Sequence, residues 1–199
     1  MIRLLITIGI ILFSLRAEAL DQPKIIVEKK GNVTNYRIEG NLEPEQNLPC
    51  ISLADVHNLY TPPDLYTAVK SCVKKANYPN AIDLFMLAGA YSSYDALRVS
   101  DKTAGQGRTV LIMQLFNGFN DQEKAELQNE FLRRKNDSNN PTLCQQIKQI
   151  GKPNYFPKYM ILHGMKAFTS NPYENALALD FNGQEQWQLI LKNYLHCPE

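Results

Sequence analysis

Asp95, Arg98 and Asp101 stand three residues apart between two apolar stretches, a spacing that puts them on one face wherever the chain is helical. Two carboxylates flanking a guanidinium fit a polar binding site. They fit equally an ion-pair cluster that satisfies Arg98 where helices meet, and the need of buried charges for partners favours that second reading. Tyr155, Phe156 and Tyr159 alternate with Pro153 and Pro157, so three aromatic rings sit on stiff backbone. Such a segment can anchor an interface or fill a core, with core the stronger reading. His163 follows on the same segment and reads as a hydrogen-bonded core residue. These seven residues are the binding candidates.

Other chemistry finds little support. His57, His163 and His196 are the three histidines, and neither His-x-x-x-His nor His-Glu-x-x-His spacing occurs, so no metal site is expected. Gly105-Gln106-Gly107-Arg108 has two glycines of a phosphate loop but lacks the third and the Lys-Ser/Thr pair. It reads as a helix start, and no cofactor is expected. No Gly-x-Ser-x-Gly elbow is present, and no residue is assigned a catalytic role. A hydrolase built from scattered carboxylates or histidines is the alternative, and it requires two such groups to converge in a cleft. Asn32-Val33-Thr34 and Asn136-Asp137-Ser138 match a glycosylation acceptor pattern that matters only in a eukaryotic host.

The four cysteines point to an oxidising destination. Met1-Ile2-Arg3, the apolar run Leu4 to Leu15 and the small-x-small triplet Ala17-Glu18-Ala19 read as a signal peptide over residues 1–19, cleaved after Ala19. Twelve residues rise only ~18 Å as a helix, short of a ~30 Å hydrocarbon core, so no stable membrane insertion is expected after cleavage. Removing Arg3, Arg16 and Glu18 from 21 basic and 20 acidic residues leaves 19 of each. A neutral chain has no excess charge for a phosphate backbone, which excludes nucleic acid as the expected partner. Cys50, Cys72, Cys144 and Cys197 all remain, and an even count in an exported chain implies two disulfides. Of three pairings, Cys50–Cys72 and Cys144–Cys197 are favoured, the first because a helix carrying Cys72 follows the Cys50 loop, the second because it pins the last residues.

The elements that must position these groups are mostly helical. Residues 24–39 alternate polar and apolar around Gly31-Asn32, a hairpin signature. From Thr61, a plausible N-cap followed by two prolines, Leu65, Ala68, Val69, Cys72 and Val73 keep one apolar face. Asn77-Tyr78-Pro79 opens a second helix through Tyr91, and Asp95 to Lys102 reads as a polar break. Further helices are expected over Val110 to Phe116, over Ala125 to Leu132, near Leu143 to Ile150, over Tyr159 to Ala167, and around Trp187 to Leu195. Lys135 to Pro141 reads as a polar loop. The fold class is mainly α: a single-domain helical bundle over residues 20–199 with an N-terminal β-hairpin.

Ala76, Tyr78, Ala81, Phe85 and Ala88 resemble the turn and second helix of a tetratricopeptide or Sel1-like hairpin. No copy recurs at the ~34-residue period, so one helical hairpin rather than a solenoid is implied. The segments 94–101 and 155–165 are similar to those of exported, uncharacterised helical proteins of Gram-negative bacteria. That resemblance implies export and a helical body and assigns no catalytic residue. With export and stapling, it points to a periplasmic or secreted, non-enzymatic protein-binding domain. An immunity protein against a type VI secretion toxin is one such form, and a structural envelope component is a further alternative.

Overall fold

A computed structural model describes residues 23–136 and 141–198. The expected leader, the Asp137-Ser138 end of the second acceptor pattern and most of the polar loop before Pro141 lie outside the described residues. Strands β1 (Ile25–Lys30) and β2 (Val33–Ile38) pair antiparallel, with Val27 opposite Tyr36, around Gly31 in the left-handed region. The hairpin meets the helical body through Ile38, which is fully buried against Leu162 and Ala167. Further out, Val27 and Tyr36 are exposed.

Helix α1 (Pro62–Lys74) starts on a capping box. Thr61 Oγ1 accepts from the Asp64 amide while Asp64 Oδ2 accepts from the Thr61 amide at 2.8 Å, and Asp64 Oδ1 accepts from the amides of Glu45 and Gln46. One buried carboxylate thus caps the helix and pins the preceding loop, relieving amides that would otherwise lack partners. The chain reverses at Ala76, which adopts a left-handed φ of 54°, and enters α2 (Tyr78–Arg98).

These two helices form the centre. Leu65, Val69 and Cys72 of α1 pack among Leu84, Leu87 and Tyr91 of α2, all essentially without exposure. The alanines of α2 let the helices approach closely, and so broad an apolar face needs cover on several sides. α3 (Gly107–Asn117), α4 (Asp121–Asn136) and α8 (Gly183–Asn193) supply much of it. On α8, Trp187 packs tilted against Tyr91 and edge-on against Tyr94, at centroid distances of 5.7 and 6.1 Å. α5 (Pro141–Ile150) is tied in where Tyr91 Oη donates to the Gly151 carbonyl at 2.9 Å. Among the described residues, no helix is long and apolar enough to cross a membrane.

Both disulfides form in the favoured pairing. Cys50–Cys72 joins the loop before α1 to the helix itself, and Cys144–Cys197 joins α5 to the chain end. Two boundaries differ from expectation. α2 continues through Asp95 to Arg98 rather than breaking there, because the charges of its last turn are paired inside the fold. The helix expected over Tyr159 to Ala167 is two short ones, α6 (Lys158–Ile161) and α7 (Lys166–Thr169), with His163 and Gly164 between them.

Candidate functional site

The last turn of α2 carries a charged group into the interior. Asp95 has no solvent exposure and Arg98 has only 9%. Arg98 Nε donates to Asp95 Oδ1 at 2.8 Å, and its Nη2 lies 2.8 Å from the same oxygen. The other oxygen, Oδ2, accepts from Tyr159 Oη at 2.7 Å and from Tyr155 Oη at 2.9 Å. The Arg98 guanidinium lies between two rings, 5.3 Å from the Tyr94 centroid and 5.2 Å from that of Tyr155. Aromatic faces are where a desolvated guanidinium is best held.

Burial pushes the Asp95 carboxyl up from its ordinary range, opposed by Arg98 and by both tyrosine hydroxyls. Burial, then the Asp95 charge, pushes Tyr155 and Tyr159 well above the usual phenol range, so both remain hydroxyl donors. Each oxygen of the carboxylate is thereby engaged and closed to solvent. To accept a substrate proton Asp95 would have to surrender a charge-assisted hydrogen bond, so the arrangement is a junction that locks the α6 segment onto α2.

Asp101 lies apart from this pair. With α2 ending at Arg98, it does not share a helical face with them. Its Oδ1 accepts from the Thr103 amide at 3.0 Å and hydroxyl at 2.6 Å, and its Oδ2 accepts from the Lys166 amide at 2.9 Å. One side chain therefore caps both the 3-10 helix Lys102–Gln106 and the start of α7. A Cβ on Gly164 would come within 2.3 Å of Asp101 Oδ2, so glycine there is what admits the carboxylate. Burial alone would raise the Asp101 pKa, but the Thr103 hydroxyl and the two amides hold it below the ordinary value.

His163 Nδ1 pairs with Asn41 Oδ1 at 2.9 Å, and burial lowers its pKa. The ring rests against Gly107, where a Cβ would lie 3.2 Å from His163 Cδ2. The second glycine of the Gly-x-Gly pair thus serves helix packing. Phe156 is 45% exposed and pairs loosely with Tyr173, so of the three aromatics Tyr155 and Tyr159 point inward and Phe156 outward. Among the described residues, no three His, Cys, Asp or Glu side chains gather to hold a metal ion.

Sequence reasoning passed over the segment that runs beside this junction. Val99 bridges Leu177 antiparallel, with Ala178 N donating to the Arg98 carbonyl at 2.8 Å and Ser100 N to the Ala176 carbonyl at 2.9 Å. Three exposed leucines are gathered at this ladder: Leu97, Leu177 and, at 93% exposure, Leu179. Lys102 Nζ donates to the carbonyls of Leu97 and Val99 at 3.1 and 3.0 Å, which fixes a cation at the rim of the group. The alternation Ala176-Leu177-Ala178-Leu179 was the available signal, hidden because the stretch is short and Asn- and Asp-flanked. No protein-family model, curated protein or solved structure matches this chain.

Proposed function

We propose that the chain is an exported, non-enzymatic binding protein whose partner is a protein that docks on the leucine ridge of Leu97, Leu177 and Leu179. The observation that carries this reading is Leu179, almost wholly exposed beside Ala178, whose amide bonds the Arg98 carbonyl at the end of α2. Exposed aliphatic side chains on a rigid segment lose little entropy on docking, and they gain by leaving water. Lys102 at the rim favours a partner with an acidic residue beside its apolar anchor. The buried Asp95 junction supports the ridge from beneath, since Arg98 supplies both the ion pair and the carbonyl to which Ala178 bonds.

Two disulfides, no free cysteine among the described residues and the leader-like first nineteen residues support a periplasmic or secreted location. An immunity protein that caps a toxin arriving in the envelope is the form of binding domain this combination fits.

A photo-crosslinking residue in place of Leu179 tests the reading, with one in place of Lys30 at the hairpin tip as control. The expected result is one protein crosslinked through position 179 and not through position 30, with that capture lost when Leu97→Asp/Leu177→Asp is added to the crosslinking chain at unchanged melting temperature. Undiminished capture of the same protein by the double variant overturns the ridge as the docking face.

A further inference from the structure

A second apolar feature lies towards the start of α2, under α4. A groove of about 370 Å³ runs between this helix and the body, floored by Val69, Ile82 and Leu115 and walled by Phe85 and Phe116. Leu127 and Phe131 close it from the α4 side, and Lys124 and Gln128 stand at its rim. The volume lies within the ~300–1,000 Å³ range of small-molecule sites, and the lining is apolar apart from those two rim residues.

α4 is attached in an unusual way. Its one well-buried apolar residue, at 4% exposure, is Leu127, whereas Phe131 and Leu132 remain 40% and 46% exposed. Polar clamps hold it on either side of the groove. Lys74 Nζ donates to both Glu123 oxygens at 2.7 and 2.9 Å, and Arg134 Nη1 reaches Asp83 Oδ1 at 2.9 Å. The groove residues of α4 all fall between Glu123 and Arg134. A partner helix, ~10 Å across, would need both clamps broken, whereas a single extended hydrocarbon chain would not.

The rim charge selects among such chains. The Lys124 ammonium has a distant contact, 3.9 Å, with Asp121, whose side chain is entirely in water. An exposed pair of this length contributes little and leaves Lys124 available to an anionic head group. From the groove and this cation we infer that α4 covers a binding site for a single-chain anionic amphiphile. Its hydrocarbon tail lies against Val69, Phe85 and Phe116, and its carboxylate or phosphate end meets Lys124.

Calorimetric titration of the purified chain with dodecanoate, dodecyl phosphate and dodecanol, each below its micellar concentration, tests this. One-to-one saturable binding of at least one anionic probe is expected, and which of the two binds more tightly distinguishes a fatty-acid from a phosphate source. Lys124→Glu should weaken anion binding at least ten-fold while leaving dodecanol unchanged. Gln128→Trp, at an exposed position, should abolish uptake of every probe without lowering the melting temperature. Absence of saturable binding, or equal anion affinity in Lys124→Glu, overturns the assignment. So does a dimer in sedimentation that persists in saturating dodecanoate and is lost in Gln128→Trp, because a second copy would then be the occupant.

Discussion

Tyr159 and Asp95, sixty-four residues apart in the chain, meet at 2.7 Å in a site without solvent. A phenol donating to a buried carboxylate is charge-assisted, and its removal leaves Asp95 short of one donor in a medium that cannot replace it. Tyr159→Phe should therefore cost about 1.5–3 kcal/mol in urea unfolding. Asp95→Ala should cost more, about 3–5 kcal/mol, because Arg98 would be left buried without its counter-charge. The carboxyl resonance of Asp95, followed by carbon-13 NMR, should titrate at higher pH in Tyr159→Phe than in the unchanged protein. An unchanged or lower midpoint would refute the view that this hydroxyl supports the anion.

Asp101 gives a pH dependence of opposite sign. Its pKa is depressed in the fold, so its stabilisation is complete above the unfolded carboxylate value of about 3.9 and is lost as pH falls through the lower folded value. Asp101→Asn should lower stability near neutrality, and the gap from the unchanged protein should close progressively below about pH 4. Urea melts at pH 7, 4 and 3 measure this. A gap that widens with acidification would exclude the carboxylate as the stabilising species.

Local signals and distant ones account for what could be read from the chain. Thr61, two prolines and Asp64 announce the start of α1 within four residues, and the i, i+3, i+4 spacing of Leu65 to Val73 carries it onward. The cysteine pairing followed because Cys50 and Cys72 flank one helix start. By contrast, Asp95 at a helix end looks polar and terminal until Tyr155 and Tyr159 arrive from sixty residues away. The break at His163–Gly164 was equally hidden, since Tyr159, His163 and Ala167 keep helical spacing. A continuous helix would donate the Lys166 amide to the Leu162 carbonyl; here the Asp101 carboxylate takes that amide and starts α7 afresh. In α4 the apolar spacing marked the helix correctly but not the depth of its burial, because Phe131 and Leu132 stay 40% and 46% exposed.

The two disulfides close loops of different length, with sequence separations of 22 for Cys50–Cys72 and 53 for Cys144–Cys197. Constraint of the unfolded chain then makes the first worth about 3 kcal/mol and the second about 4 kcal/mol. Serine pairs replacing each bridge separately should show that order in equilibrium unfolding. The Cys144/Cys197 variant should also lose hydrogen-exchange protection at Tyr194, Leu195 and Cys197, just beyond α8, where Lys148 Nζ bonds the Pro198 carbonyl and the bridge is the covalent anchor. Equal protection in both variants would argue against that anchoring role.

The two clamps on α4 differ in burial, and that difference decides how each responds to mutation. Arg134 and Asp83 are 18% and 16% exposed at the side chain, whereas Lys74 is 50% exposed. Burial raises the Asp83 pKa, and Arg134 opposes it by charge and hydrogen bond. Arg134→Ala removes that opposition and leaves a partly buried carboxylate alone, at an expected cost of about 1–3 kcal/mol at pH 7, between the values for exposed and buried pairs. Because a raised folded pKa makes the ionised form the unfavourable one, protonation relieves the cost. The deficit of Arg134→Ala should shrink as pH falls from 7 towards 4. Lys74→Ala should produce a smaller deficit that disappears in high salt, as screening removes an exposed pair. If the two substitutions prove equal in size and in pH response, α4 is held by its apolar face rather than by its ends, and the groove beneath it would be closed to any chain.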